Sequence, residues 1–460
     1  MLFNSIVFLY GFLPLAYFVY WKLHTANQRY IWLTICGYVF YGSWNYQFCA
    51  LMAFSTLVSY AAGRGMIRWD RDVTLRRLCL IVPVVTDLAL LGYFKYAGFA
   101  AQTLQAITTW AGHPWTAPVM HVVLPLGISF YTFHTISYIV DAYRRVVVPT
   151  KNFWEFSCYV CLFCQLVAGP IVRFRQIEGD LANISSAHRN DHWERGCSFF
   201  ALGMLKKVLL ADTIAAVIDP ALEHYTSLST ASAWLVMLGY TFQIYFDFSG
   251  YSDMATGLGA LFGLRIPQNF DSPYKAVNPS DFWRRWHISL STCMRDYVYV
   301  PLGGSRRMHY RNLLLTMLIG GIWHGANWTF VLWGAYHGIL LAAYTRYRTA
   351  WEALPVAVAR VLMFVLVVIG WVPFRATSLA MTKAMLAHMF VFESGASIVG
   401  ARTLFVTVLV AAVIVTTLRN TFELSHQWSR SAATGIAALF ALSIAVIYGG
   451  VHSPFLYFQF

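Results

Sequence analysis

Two histidines set among apolar residues carry the strongest chemical signal in this chain. His324 lies in "GGIWHGANWTFVLWGAYHG", Gly320 to Gly338, and between Arg311 and Arg346 there is no Lys, Arg, Asp or Glu at all. His287 lies in "DFWRRWHISLSTCM", Asp281 to Met294. An ionisable group at membrane depth is costly to keep and is therefore a functional candidate by default. Imidazole titrates near neutrality and suits general-base work. Acid–base chemistry on a polar reacting group is the expected use.

The neighbours of His324 suit that use. On a continuous helix, His324, Asn327 and Trp328 fall at i, i+3 and i+4 and share one stripe. With Trp323 as a wall, they would supply a base, an amide donor and an indole N–H for a developing oxyanion. The plainer alternative is helix packing. Gly321 and Gly325 flank His324, Gly334 and Gly338 flank His337, and such pairs let neighbouring backbones come close. His337 is thirteen residues beyond His324, a rotation of roughly 220° at helical geometry, so it is expected to be structural.

Metal binding is the rival chemistry, and no metal is expected. Zinc sites need three or four ligands at recognisable spacing, and neither His287 nor His324 belongs to an H-x-x-x-H or H-x-x-E-H pair. Two histidines alone leave haem ligation open. Cys158, Cys161 and Cys164 in "CYVCLFC" have metal-like spacing but read as small apolar residues in a helix.

Charged residues near the histidines divide in the same way. Asp247, in "YTFQIYFDFSGYSDMATGLG", is expected to orient a histidine or arginine, and Asp253 to cap the next helix. Arg284, Arg285, Arg295, Arg306, Arg307 and Arg311 form a dense basic set whose ordinary role is anchoring against anionic lipid. Arg284 and Arg285 are the better candidates for holding substrate phosphates.

The elements that must position these groups follow from composition. The chain has 460 residues, 58% hydrophobic and only 12% charged, against about 25% charged in soluble domains. The bilayer is its solvent. A formal charge of +13 does not imply nucleic acid here, because the basic residues fall in short breaks between apolar runs, as the positive-inside rule expects. The reading is an all-α polytopic membrane protein forming one domain over residues 1–460, with about ten to thirteen membrane helices, some of them partial. Met1 to Trp21 reads as a retained first span. Tyr30–Gly63 is expected to split into two helices, which places both Lys22–Arg29 and the arginine-rich Arg64–Arg77 on the cytoplasmic side. Ala231–Leu264 is two short helices or one kinked one, and Cys197–Ile214 adds another, interrupted by Lys206 and Lys207.

Residues 265–311 are too charged to span and too aromatic for a linker. Ser280 is expected to cap an amphipathic helix with Asp281 in its first turn. On it Trp283 and His287 would share a face. The segment reads as an interfacial or re-entrant element beside a cavity, since irregular backbone at membrane depth must line one or be buried in protein.

"DFWRRWHISLS" followed by "WHGANWTFVLWG" resembles the signature of the membrane-bound O-acyltransferase (MBOAT) family. "LPLGISFYTFHTISYIVDAYRR", "QLVAGPIVRFRQ", "FDFSGYSDMATGLGALFG", "NFDSPYKAVNPSDFWRRWH" and "SPFLYFQF" are similar to its branch that serves alginate O-acetylation. The resemblance implies a ring of helices around a thin centre pierced by a funnel or tunnel. It implies His324 as the family's catalytic histidine and His287 as its second. It further implies an acyl thioester donor such as acetyl-CoA, with no bound cofactor, entering from the cytoplasmic side of a bacterial inner membrane. The acyl group would pass to a periplasmic partner with a Ser-His-Asp hydrolase-like fold that works with polysaccharide synthesis and export machinery. D-alanyl or lipid acyl transfer is the alternative within the family. A proton-coupled transporter is the alternative outside it, and the chain lacks the inverted repeats such proteins often show.

Overall fold

The computed structural model describes residues 1–113, 115–118, 122–450, 453, 455 and 456. It is mostly helical, and its only β feature among the described residues is an isolated bridge between Leu228 and Ala396. The helices pack as two compact units, Met1–Trp193 with Leu258–Pro267, and Glu194–Gly257 with Gln268–Phe460.

In the first unit, Tyr30–Gly63 is divided as expected. Helices Ala26–Asn45 and Gln47–Arg68 meet at Tyr46. The first begins with a capping box, in which Thr25 accepts from the Gln28 amide and Gln28 accepts in return. The five arginines of Arg64–Arg77 lie at the facing ends of Gln47–Arg68 and Val73–Leu91 and in the turn between them. Arg29 is buried rather than solvated in its loop. Its guanidinium lies over the rings of Tyr20 and Trp21, 4.8 and 5.0 Å from their centroids, and donates to the Leu23 and Ile184 carbonyls. Asp87, deep in Val73–Leu91, accepts from the Ser55 and Thr135 hydroxyls at 2.6 Å each, which satisfies a carboxyl that could not otherwise be buried. Cys158, Cys161 and Cys164 are buried free thiols.

Among the described residues, three helical runs are long and apolar enough to cross a membrane: Val73–Trp110, Val356–Arg375 and Arg430–Tyr448. Val7–Lys22 and Ala401–Thr417 are shorter apolar helices. Most of Arg430–Tyr448 is exposed, with apolar side chains such as Leu442 facing outward. That is the surface expected against lipid, not water.

The second unit carries the histidines and departs from several expectations. Of the two readings of Ala231–Leu264, one helix holds and two short helices do not, and Asp253 caps no helix. A single helix, Thr230–Leu261, runs through both aspartates. Asp253 is mid-helix and pairs with Lys206 at 2.6 Å. Asp247 is paired with Lys207 at 2.6 Å, not with a histidine or arginine. Lys206 and Lys207 therefore do not interrupt the segment before it. They lie in a widened turn, Leu205–Ala211, between helices Trp193–Met204 and Asp212–Glu223, and their charges are met by aspartates.

The amphipathic helix expected over Asp281–Met294 is broken. Asn278, not Ser280, is its cap, accepting from the Asp281 amide at 2.7 Å. Pro279 then opens helix Pro279–Arg285, with Asp281 in the first turn as expected. The chain turns at Trp286 and His287 before helix Ile288–Met294. Trp283 and His287 therefore do not share a helical face. In the C-terminal "SPFLYFQF", Ser453, Phe455 and Leu456 are described, while Pro454 and residues 457–460 lie outside the described residues.

Candidate active site

His324 is the last residue of helix His309–His324. Gly325 leaves the helix in an extended conformation, and Asn327 caps the next helix, Trp328–Arg346. The continuous stripe expected for His324, Asn327 and Trp328 is thus interrupted. Asn327 uses its amide structurally: Oδ1 accepts from the Thr329 N–H at 3.1 Å and Nδ2 donates to the Thr377 carbonyl at 3.0 Å. The Trp328 side chain is largely exposed. Trp323, by contrast, is buried beside the imidazole, 5.0 Å between centroids.

The two helices form a tight hairpin because glycines let their backbones meet. A Cβ on Gly321 would strike the Phe330 carbonyl and come within 3.1 Å of the Gly334 Cα. A Cβ on Gly334 would strike the Met317 carbonyl. The contact thus pairs Gly321 with Gly334 across the hairpin. Gly325 has a separate role, lying under the Phe330 ring where the helix ends.

His287 sits in an uncommon backbone position, φ 44° and ψ 54°, which is left-handed for a residue with a Cβ. Neighbouring bonds hold it there. The Ile288 N–H donates to the Asn269 carbonyl at 2.9 Å, and the Trp286 N–H donates to the Phe282 carbonyl at 2.8 Å. Non-glycine residues persist in such conformations where the surroundings over-determine them, often at functional sites.

Both imidazoles have one nitrogen assigned by their partners. His324 Nδ1 lies 2.7 Å from the Gly320 carbonyl, and a carbonyl can only accept. His287 Nδ1 lies 3.1 Å from Asn269 Oδ1, which also accepts from the Ser289 N–H and hydroxyl. Asn269 Nδ2 donates to Ser252 Oγ at 3.2 Å, which orients the amide. In the neutral ring, a protonated Nδ1 makes Nε2 the basic nitrogen. The two rings are 6.5 Å apart between centroids and inclined at 78°. Asn269 and the Gly320 carbonyl are the partners of the two candidate imidazoles that sequence reasoning missed. An asparagine eighteen residues from a histidine offers no periodic signal, and a backbone carbonyl offers none at all.

Aromatic rings close around the pair. Phe248 meets His287 edge to face at 4.7 Å, and Trp333 and Phe374 meet His324 at 4.9 and 5.3 Å. His337 lies on the far side of Trp333, 5.0 Å away, and against Trp283 at 5.2 Å. His324 borders a cavity of about 130 Å³ lined by Trp283, Leu290, Met294, Met317, Gly320 and other residues, with Arg295 and Tyr299 also on its wall. An engineered apolar cavity of about 150 Å³ takes one benzene ring, so this space suits a short acyl group better than a long chain.

The remaining candidates are placed as follows. Arg285 pairs with Asp281 at 3.0 Å and Asp271 at 3.4 Å, and Arg284 donates to the Ser280 carbonyl. Asp247 accepts from the Leu456 N–H at 3.0 Å as well as from Lys207, and Lys207 also pairs with Asp212 at 2.7 Å. Asp247 thus belongs to a buried ion cluster, not to the imidazole pair.

Residues 91–385 match the family model of the membrane-bound O-acyltransferase family. A probable alginate O-acetylase of Pseudomonas putida is 40% identical over 497 aligned residues that cover all of both chains. Another, from Azotobacter vinelandii, is 45% identical over 402 residues, 85% of this chain and 78% of that one. A peptidoglycan O-acetyltransferase of Helicobacter pylori is 34% identical over 521 residues, covering all of this chain and 98% of its own. With two buried imidazoles whose basic nitrogens are set by structure, and with this similarity along its whole length, the chain belongs to the membrane-bound O-acyltransferase family.

Proposed function

We propose that this enzyme moves acetyl groups from a cytoplasmic thioester, acetyl-CoA being the simplest, towards the hydroxyls of an exported polysaccharide. The bacterial inner membrane is its expected site, and a periplasmic hydrolase-like acetyltransferase is its expected partner. The observation that carries the reading is His324, whose Nδ1 is committed to the Gly320 carbonyl while its ring borders a small apolar cavity. The relatives named as acetylases of alginate and peptidoglycan support polysaccharide as the final acceptor.

The chemistry follows from the tautomer. As the acceptor oxygen attacks the thioester carbonyl carbon, its proton passes to His324 Nε2. A C–O bond forms, the tetrahedral intermediate collapses, and the C–S bond breaks. The leaving thiolate takes the proton back from the imidazolium. General-base assistance of this kind contributes typically 10²–10⁴-fold. His287, fixed by Asn269, helps to position substrate or tune His324. Trp323 and Trp283 serve as walls, and exposed Arg284 is the arginine left to meet a phosphorylated donor, since Arg285 is paired with Asp281 and Asp271.

The test is transfer of radiolabelled acetyl from its thioester by purified protein in proteoliposomes. Transfer that disappears in His324→Ala, with protein level unchanged, supports the reading. Solute flux without label transfer would reject it.

A further inference from the structure

A second cavity, of about 530 Å³, lies in the same unit and is four times the volume of the one at His324. Its size is within the range of ligand pockets, roughly 300–1,000 Å³. The wall is mainly apolar, with Leu202, Leu205, Phe246 and Val415 among its lining, and the rim carries Lys206 and Arg419. The two cations are in different states. Lys206 Nζ is neutralised by Asp253 at 2.6 Å and also donates to Thr421 at 2.8 Å. Arg419 is exposed and makes no ion pair or side-chain hydrogen bond among the described residues.

Arg419 also stands at a defined level. It follows Ala401–Thr417, an apolar helix whose outer side chains Leu409, Val410 and Val413 are exposed, as is Leu418 just past its end. A guanidinium just past the end of such a helix is where a lipid phosphate would be met. An anionic head at Arg419 and an alkyl tail along the leucines would satisfy both halves of the cavity.

The back of this cavity touches the segment that carries His287. Tyr245 lines it, and its ring packs on Phe270, Tyr274 and Trp286 at 6.0, 5.3 and 6.3 Å. Asn420, also on the lining, donates to Asp271 at 3.0 Å, and Lys275 Nζ donates to the Leu418 carbonyl at 2.9 Å. The segment from Asn269 to His287 is thus braced by Tyr245 and by the loop after Thr417, both of which line the cavity.

We infer that this cavity binds an anionic glycerophospholipid, with its phosphate on Arg419 and an acyl chain along Leu202, Leu205, Phe246 and Val415, and that its occupancy steadies the His287 segment. The second half of the inference rests on the role given to His287 above.

The experiment uses the full chain in nanodiscs of phosphatidylcholine, to which phosphatidylglycerol is added, with retained lipid read by native mass spectrometry and acetyl transfer read alongside. Phosphatidylglycerol should be retained over phosphatidylcholine. Arg419→Gln should weaken that retention roughly fivefold, the value of one basic side chain near a membrane surface. Leu205→Trp, which fills the apolar half, should lower retention of either lipid. His324→Ala should retain the lipid like the unaltered protein, so binding is read even if the catalytic reading fails. Equal retention of the two lipids, or retention unchanged in Arg419→Gln, overturns the site. Competition by inorganic phosphate alone at millimolar concentration would show a free-anion site and overturn the lipid. Transfer that does not respond to phosphatidylglycerol, with binding intact, overturns the brace.

Discussion

Asn269 and His287 are joined twice over, side chain to side chain at 3.1 Å and backbone to backbone through Ile288 at 2.9 Å. One asparagine therefore sets both the tautomer of the ring and the left-handed backbone from which it projects. Asn269→Leu should remove the acceptor while keeping bulk. An unsatisfied buried donor costs about 1–3 kcal/mol, so kcat should fall roughly 10- to 100-fold with little change in KM. Asn269→Asp keeps an acceptor and should recover part of the rate. Steady-state kinetics in proteoliposomes check both, and a pure KM effect would place Asn269 in binding instead.

His324→Ala should reduce acetyl transfer by about 10²–10⁴-fold, the usual worth of a general base. His324→Gln should be as poor, since an amide cannot take the proton. Polymer acetylation, read against membrane protein level by immunoblot, decides it. Near-normal acetylation in either variant would remove His324 from the chemistry.

The cavity at His324 offers a volume test. A Cβ on Gly320 would meet nothing within 4 Å, so Gly320→Ala should fold normally. Gly320→Leu would extend into space shared with Met294 and Met317, and should block transfer while the protein remains monodisperse in detergent. Conversely, Met294→Ala should broaden donor use towards propionyl and butyryl thioesters. Competition between thioesters of different length measures the shift.

Gly321 and Gly334 should behave differently from Gly320. Each lacks room for a methyl group, and overpacking costs typically 1–3 kcal/mol. Gly321→Ala or Gly334→Ala should lower the thermal unfolding midpoint in detergent and reduce transfer together. A normal midpoint in both would mean that the hairpin adjusts freely.

Lys207 holds Asp212 and Asp247 at 2.7 and 2.6 Å in a buried cluster. Lys207→Met would strand two carboxylates, and losing one partner of a buried pair costs about 3–5 kcal/mol. The yield of folded protein should drop sharply. Adding Asp212→Asn and Asp247→Asn to that variant should restore much of it, as size-exclusion profiles would show.

What the sequence determined by itself was the solvent, the helical class and the family, and it singled out His287 and His324 as the candidate imidazoles. Scarce charge leaves a chain no choice but the bilayer, and a histidine in an uncharged run is costly enough to stand out. The division of Tyr30–Gly63 into two helices was legible too, because it satisfied the basic residues at both ends. Tertiary structure alone decided how the chemistry is arranged. Helical periodicity put Asn327 and Trp328 beside His324 and Trp283 beside His287, but the helices end at His324 and Arg285. Periodicity cannot see a break whose cause lies elsewhere, in Phe330 lying over Gly325 and in Asn269 reaching across to His287. The partners of Asp247 and Asp253 were hidden for the same reason, since Lys206 and Lys207 lie some forty residues away. A one-dimensional pattern records which groups must be satisfied; only packing in three dimensions selects which distant group satisfies them.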